Sequence, residues 1–362
     1  MPDTMEQPSA RQTAPPKPAR RPRYVRRDRS DNIQKWRFAA QLFSTAVSLW
    51  IGVQFYLWTK KLEGAALWSW VPRPPGVEGW LPIGAIVSLR YWIESHVFNY
   101  VHPAGLVIFL FILGSSWLFK KAFCSWVCPV GFISEMLGDF SKRFLRLRIR
   151  PWKVLDWPLR MIKYLLLGFF VWAILIQMTP ASIEAFVYSN YNQVADILML
   201  RFFTDISRFA LAVTGALVLL SLVVRGFWCR YLCPYGALLG LIGLISPTRI
   251  RRNETTCIDC ARCAKACPAF IKVDKVKYVV SDECVGCMAC VDSCPVKDAL
   301  TVHMFTKKRP VNKRYWALAL VVLVWVGLAG FKLFGPWENN ISDAQYREHL
   351  PRLERGEYVH PR

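Results

Sequence analysis

At 362 residues the chain has the length of two or three soluble domains, but its composition excludes that reading. It is 54% hydrophobic with 16 tryptophans, yet it carries a formal charge of +22. The charge falls between long apolar runs rather than over a polar surface, which argues against a nucleic-acid binder and for an integral membrane protein.

Residues 1–36 read as a disordered basic cytoplasmic arm, with nine Lys/Arg and four Asp/Glu in the first 35. No apolar stretch follows early enough for a cleavable signal peptide. Residues 37–254 read as a four-span membrane domain. The first span is expected over 38–58, with Trp36 and Trp58 at its interfaces. Residues 59–100 are mixed, and 81–98 read as an interfacial or re-entrant piece. The second span is expected over 101–119, followed by a basic amphipathic segment over 132–150. The third is expected over 164–183 and the fourth over 206–224, with a polar stretch over 184–205 between them. The apolar piece 237–245 is too short to cross. Residues 255–303 form a separate cysteine-rich domain, 304–335 carry a fifth span, and 336–362 form an external tail.

Lys and Arg place these pieces. The N-terminal arm, 120–163 and 225–314 hold 35 of them, against nine in the segments on the opposite side. The asymmetry predicts a multi-pass protein of the bacterial cytoplasmic membrane. The N-terminus and the cysteine-rich domain would be cytoplasmic and the C-terminus periplasmic.

All 12 cysteines lie in regular motifs. Cys257, Cys260, Cys263 and Cys267, with Pro268 next, spell C-x2-C-x2-C-x3-C-P, and Cys284, Cys287, Cys290, Cys294 and Pro295 repeat it. This is the bacterial two-cluster ferredoxin spacing, in which the fourth cysteine of each run ligates the other cluster. The pattern assigns Cys257, Cys260, Cys263 and Cys294 to one [4Fe–4S] cluster and Cys284, Cys287, Cys290 and Cys267 to a second. A zinc ribbon needs neither the third cysteine nor the paired prolines, and a reducing compartment disfavours disulfides. The expected fold is an α-helical integral membrane protein with about five transmembrane helices and an inserted α+β two-[4Fe–4S] ferredoxin domain.

A second motif is duplicated. Residues 123–138 and 228–243 both read aromatic-Cys-x3-Cys-Pro-x-Gly-x6-Gly, a parallel repeat about a hundred residues apart. The repeat predicts that Cys124, Cys128, Cys229 and Cys233 lie at one depth on the cytoplasmic edge. They would hold a third iron–sulfur cluster, act as redox dithiols, or pack as small buried residues. Lys120, Lys121, Arg225 and Arg230 are expected to lower their thiol pKa values.

Histidines are few. His96 and His102 are six residues apart, about 120° in net rotation on a helix, so they cannot form a one-helix haem pair. No C-x2-C-H is present for a c-type haem. Glu94, His96 and His102 are candidates for a quinol site at the outer edge of the second span. The alternative is an interfacial polar cluster with an Arg90–Glu94 pair.

With these motifs in place, the chain resembles the membrane-bound polyferredoxins of the NapH type. The same group takes in YccM, the methylamine-utilisation ferredoxin-type proteins, the C-terminal half of NosR, and CcoG. The resemblance covers roughly residues 38–333 and is carried by the two C-x3-C-P pairs and the two ferredoxin runs. The periplasmic flavin-binding domain that NosR-like proteins have before the first span is not expected here. The 28 residues after the fifth are too few for the immunoglobulin-like domain of CcoG-like proteins. The resemblance implies electron transfer between the membrane quinone/quinol pool and a redox partner protein whose identity stays open, with no nucleic acid involved. Two other readings are a metal or cofactor reductase or assembly factor of the CcoG type, and a redox-sensing membrane regulator.

Overall fold

The computed structural model describes residues 32–146, 152–305 and 310–358. Most of the basic arm lies outside these residues. So do the end of the basic segment, the run from Lys307 to Arg309 and the last four residues.

Helix α1, Ile33–Leu62, starts where the Asn32 side chain accepts from the Gln34 amide and ends on Lys60 and Lys61. Helical structure therefore begins inside the stretch read as a disordered arm. Its polar residues Arg37, Gln41 and Ser44 are buried while Trp36, Phe43, Leu49 and Trp50 are exposed. That inside-out pattern suits a helix with lipid on its outer face.

Helices α2 (Pro82–Ser95) and α3 (Pro103–Phe119) follow. The short α4 (Phe123–Trp126) and α5 (Pro129–Phe140) carry the first C-x3-C-P repeat. Helix α6 (Lys153–Trp172) runs on through a π-turn to Gln177. Next come α7 (Pro180–Val187), α8 (Asn190–Gln193), α9 (Ala195–Thr204) and α10 (Arg208–Val223). A π-turn over Trp228–Leu232 and α11 (Pro234–Leu244) carry the second repeat. The cysteine-rich segment opens on β1 (Thr248–Arg252), passes through α12 (Arg262–Ala266) and α13 (Ala289–Asp292), and closes on β2 (Leu300–Met304). Helices α14 (Lys313–Phe334) and α15 (Asp343–Glu354) complete the fold.

Ile33–Leu62, Val154–Gln177 and Lys313–Phe334 are long and apolar enough to span a membrane, and α9 with α10 makes a fourth if their 78° bend is one broken span. The predicted second span, α3, is apolar but has only 17 residues. It is the buried centre of the fold, with α2, α11 and α14 packed around it. The expected third span starts ten residues too late. Asp156, Arg160 and Lys163 stand ahead of the apolar run, yet they belong to the helix: Asp156 is held by Arg160, Arg230 and Tyr231, and Lys163 pairs with Glu283. That span also ends before residue 183, because Pro180 opens α7 under a Thr179 cap. The polar stretch 184–205 is helical, with Ser189 capping α8.

Strands β1 and β2 pair antiparallel, with Ile250 opposite Val302. The ferredoxin segment therefore begins at 248, ahead of the boundary expected at 255. The two C-x3-C-P repeats interlock: α3 of the first packs on α11 of the second, and α10 of the second on α5 of the first.

At the far end of α1, Trp58 donates to Asp343 at 3.1 Å and meets Tyr346 edge-on. Arg73 pairs there with Glu78 at 2.9 Å and Asp196 at 2.7 Å, with both carboxylates fully buried.

Candidate metal centres

The two ferredoxin runs fold as one loop shape used twice. In the first, Asp259 and Ala261 adopt φ of 52° and 56°; at the same places in the second, Gly286 and Met288 adopt 58° and 58°. Successive left-handed residues turn backbone amides inward around a concavity, as an anionic group requires.

Two small pockets result. Cys257, Cys260, Cys263 and Cys294 line one, with Ile258, Val296 and Leu300 among its walls. Cys267, Cys284, Cys287 and Cys290 line the other, with Ile250, Ile271, Val273 and Met288. Each pocket thus takes three cysteines from one run and the fourth from the other. Among the described residues no three His, Cys, Asp or Glu side chains converge closely enough to hold a metal ion. Four cysteines ringing a space with largely apolar walls is the donor set and shape that an iron–sulfur cluster needs, and it differs from the tight tetrahedron of zinc.

The surroundings of the two pockets differ. Cys284, Cys287 and Cys290 are buried, whereas Cys260 is exposed. Burial pushes the Cys287 thiol up to about 12 and raises Cys290 well above the ordinary thiol value, so in the absence of metal both thiols stay protonated.

The inner pocket sits on the C-x3-C repeats. Between Cys124 and Cys128, Ser125 Oγ donates to Val285 O at 2.6 Å and Trp126 Nε1 donates to Gly286 O at 3.1 Å. Between Cys229 and Cys233, Arg230 reaches Ala269 O at 3.4 Å and lies over the Phe270 ring, beside Cys267. Each repeat therefore grips one of the two segments that supply cysteines to the inner pocket. Lys163 pairs with Glu283, and Tyr164 bonds Asp282, just before Cys284. Gln34 Nε2 donates to Cys287 O at 2.9 Å.

Cys124, Cys128, Cys229 and Cys233 line one cavity of about 900 Å³ together with Lys121, Tyr235 and Cys287. The structure thus brings the two pairs together. A Cβ on Gly131 would fall 2.1 Å from Cys124 O, so the first repeat admits no side chain there, whereas at Gly236 the same approach to Cys229 O is 3.4 Å. Cys233 caps α11, its Sγ accepting from the Gly236 amide at 3.2 Å.

The flanking cations do not act as the sequence suggests. Burial raises the Cys124 and Cys128 thiols and pushes Cys229 up to about 12, and Lys121 only partly offsets this at Cys124 and Cys229. Lys120 Nζ is bound to Val279 O, Arg230 to Asp156, and Arg225 to Glu135 and Asp139. Each of these cations is spent on another partner.

The same cavity follows α1 from Arg37 past Ser44, Val47 and Ile51 to Gln54, between Phe111 on α3 and Val324 and Leu328 on α14, with exposed Trp50 at its wall. At its cysteine end Arg37 holds Glu135 through two bonds of 2.7 and 2.6 Å, and Gln41 adds a third at 3.0 Å. Burial alone would raise the Glu135 pKa, but these donors bring it below the usual carboxylate value. The sequence reading missed Ser125, Trp126, Arg37 and Glu135. The signals available were charged and amide side chains inside an apolar span and the identity of the residues between paired cysteines.

Glu94, His96 and His102 do not share one environment. Glu94 pairs with Arg90 at 2.7 Å, four residues back on the same helix, and His96 is an exposed left-handed cap of α2. His102 is buried, 2.7 Å from Asn192 O and 3.4 Å from Glu78. Burial disfavours its protonation, but the Glu78 carboxylate outweighs that and raises its pKa. The Arg90–Glu94 pair of the alternative is present, and the three candidate residues of the quinol site stand in separate environments.

Comparison with known proteins agrees with the geometry. A family model described as a 4Fe-4S binding domain matches residues 101–148 and again 208–253, one C-x3-C-P pair in each match. A 4Fe-4S dicluster domain matches 250–302. YccM of Escherichia coli K12, named for electron transport, is 41% identical over 329 residues, covering 89% of this chain and 91% of YccM. The chain belongs to the membrane polyferredoxin group of the YccM and NapH type. The ferredoxin-type protein NapH of Haemophilus influenzae is 27% identical over 72% of this chain and 86% of its own length. The methylamine utilization protein MauN of Methylobacillus flagellatus is 25% identical over 55% and 63%. No solved structure matches the chain. This polyferredoxin carries 4Fe-4S binding domains on a membrane-associated helical fold, and its group is one of electron-transport proteins.

Proposed function

We propose that this polyferredoxin passes electrons between the membrane quinone pool and a redox partner protein. The observation that carries the reading is continuity. Cys287 lines both the cavity of the four repeat cysteines and the inner pocket, the inner and outer pockets each take a cysteine from the other's run, and Cys260 of the outer pocket is exposed. Cys257, Cys260, Cys263 and Cys294 would hold one [4Fe–4S] cluster, and Cys267, Cys284, Cys287 and Cys290 a second. Cys124, Cys128, Cys229 and Cys233 would hold a third. When bound, such clusters take up and release single electrons at potentials set by burial and by hydrogen bonds to sulfur.

The chain's own residues position these centres. Ser125, Trp126 and Arg230 tie the repeat to the inner pocket, and Lys163 and Glu283 anchor it to α6. The apolar stretch of the cavity beside α1 suits the ring and tail of a lipophilic quinone, with Glu135 among the carboxylates that line the cavity. The membrane would be the bacterial cytoplasmic membrane, with the pockets on the cytoplasmic side and the C-terminus periplasmic.

Anaerobic purification with iron counting and redox-titrated electron spin resonance tests this reading. About twelve irons are expected, falling to about eight in Cys128→Ser or Cys233→Ser with the two ferredoxin signals kept. A constant count with lost reduction by a quinol analogue would make the repeat cysteines dithiols. Full activity with all four replaced would leave them a packing role. Reporters after Arg362 and near Thr306 test orientation; both on one side of the membrane would refute it.

A further inference from the structure

The rim of the outer pocket is charged in a way that the cluster assignment does not require. Cys260 is exposed there. Arg262 stands two residues on, at the start of α12. The 3₁₀ turn Val273–Lys275 packs on α12, contributes Asp274 to the pocket wall, and is flanked by Lys272 and Lys277. Lys297 directly follows the wall residues Pro295 and Val296. Arg262, Lys272, Lys275, Lys277 and Lys297 are all exposed, and among the described residues none of them has an ion-pair partner.

The acids nearby are differently placed. Glu254 and Asp259 are both engaged by Arg252, at 3.4 and 3.3 Å, and Asp274 is buried. Asp298 is the exposed acid left to oppose five cations. At the inner pocket, by contrast, Asp282, Glu283 and Asp292 meet Tyr164, Lys163 and Lys313. Charge is matched where the module meets the membrane helices and left unmatched where it faces away.

We propose that this rim is the docking face for a soluble electron-transfer protein with an acidic surface, of the ferredoxin or flavodoxin class. The proposal rests on the reading that the outer pocket holds a [4Fe–4S] cluster. One electron moves per encounter: the partner's centre is oxidised as the cluster is reduced, or the reverse, and no bond, proton or group is exchanged. Exposed, unpaired cations around an electron-exit site raise encounter rates by about 10 to 1000-fold and are screened by salt. A small, weak interface suits a partner that must leave after each electron.

The test uses the cluster-loaded full chain in phosphatidylcholine nanodiscs, with a reduced, strongly acidic plant-type ferredoxin as probe. Stopped-flow absorbance should show fast electron transfer at low salt that slows at least about tenfold by roughly 0.5 M salt. The combined variant Arg262→Glu, Lys275→Glu, Lys297→Glu should slow it about as much at low salt while keeping its iron count and spin signals. Restoring Lys275 alone should recover part of the rate. A salt-independent rate that is equal in wild type and variant would overturn the proposal. It would equally be overturned if the variant lost binding to phosphatidylglycerol vesicles but reacted normally with ferredoxin, which would make the rim a lipid contact. A missing outer-pocket signal in wild type would defeat the cluster reading instead, while calorimetric binding of ferredoxin would still report on the rim.

Discussion

The inner and outer pockets share one backbone and two opposite settings. Gly286 and Asp259 occupy equivalent left-handed positions, yet one is wedged against the end of α3 and the other is exposed. A Cβ on Gly286 would fall 3.1 Å from Phe119 O and 3.2 Å from the Ala122 methyl. The loop shape that wraps a pocket is therefore set by local backbone geometry. What distinguishes the inner pocket from the outer one is the neighbour each loop is pressed against.

Exchanging the equivalent residues should break this asymmetry most severely. Gly286→Asp should abolish the inner pocket's spin signal and about four irons, because the new side chain has no room beside Phe119. Asp259→Gly should retain both signals; equal losses in the two variants would mean that the loops are equivalent after all. The next largest effect is expected at Glu283→Ala, which leaves the buried Lys163 without its partner. Breaking such a pair costs about 3–5 kcal/mol, to be read from denaturant unfolding in detergent. Trp126→Phe keeps a ring against Trp316 but loses the donor to Gly286 O. A cost of about 1–3 kcal/mol and a moved inner-pocket potential are expected, with the outer signal unchanged. A shift of both signals would deny the repeat its selective grip on the inner pocket. The smallest effect belongs to Asp259→Asn at the rim, where loss of a half-exposed pair with Arg252 should cost less than about 1 kcal/mol by the same unfolding measurement.

Much of this architecture was legible because its signals are local. The C-x2-C-x2-C-x3-C-P spacing places four cysteines by chain geometry alone, and the two pockets take up the crossed sets that the spacing assigns. The apolar length of α1 and α14 announces them as spans. The misreadings arose where a residue's partner lies far away in sequence. Lys163 looked like the edge of a span until Glu283 was placed beside it. Lys120 and Arg225 looked like thiol activators, but Val279 O and Glu135 claim them. The helices after Thr179 and Ser189 are a different case. Their caps were readable, and polar composition was given too much weight against them.

The interlocked packing of α3 on α11 and α5 on α10 has a consequence for biosynthesis. Each repeat buries helix faces against the other, so the first half of the membrane domain lacks those contacts when it leaves the ribosome. Cys124 and Cys128 must wait for Cys229 and Cys233, roughly a hundred residues of translation, or about 5–20 s at ordinary elongation rates. The inner pocket waits longer, because its last cysteine, Cys290, follows both repeats. Completion of the candidate sites is thereby a late event imposed by topology, and a product that stops between the two repeats would hold only Cys124 and Cys128 of the four repeat cysteines. Quality control of such a chain has a simple criterion to act on, since only a product that extends past Cys233 can bring the four repeat cysteines together.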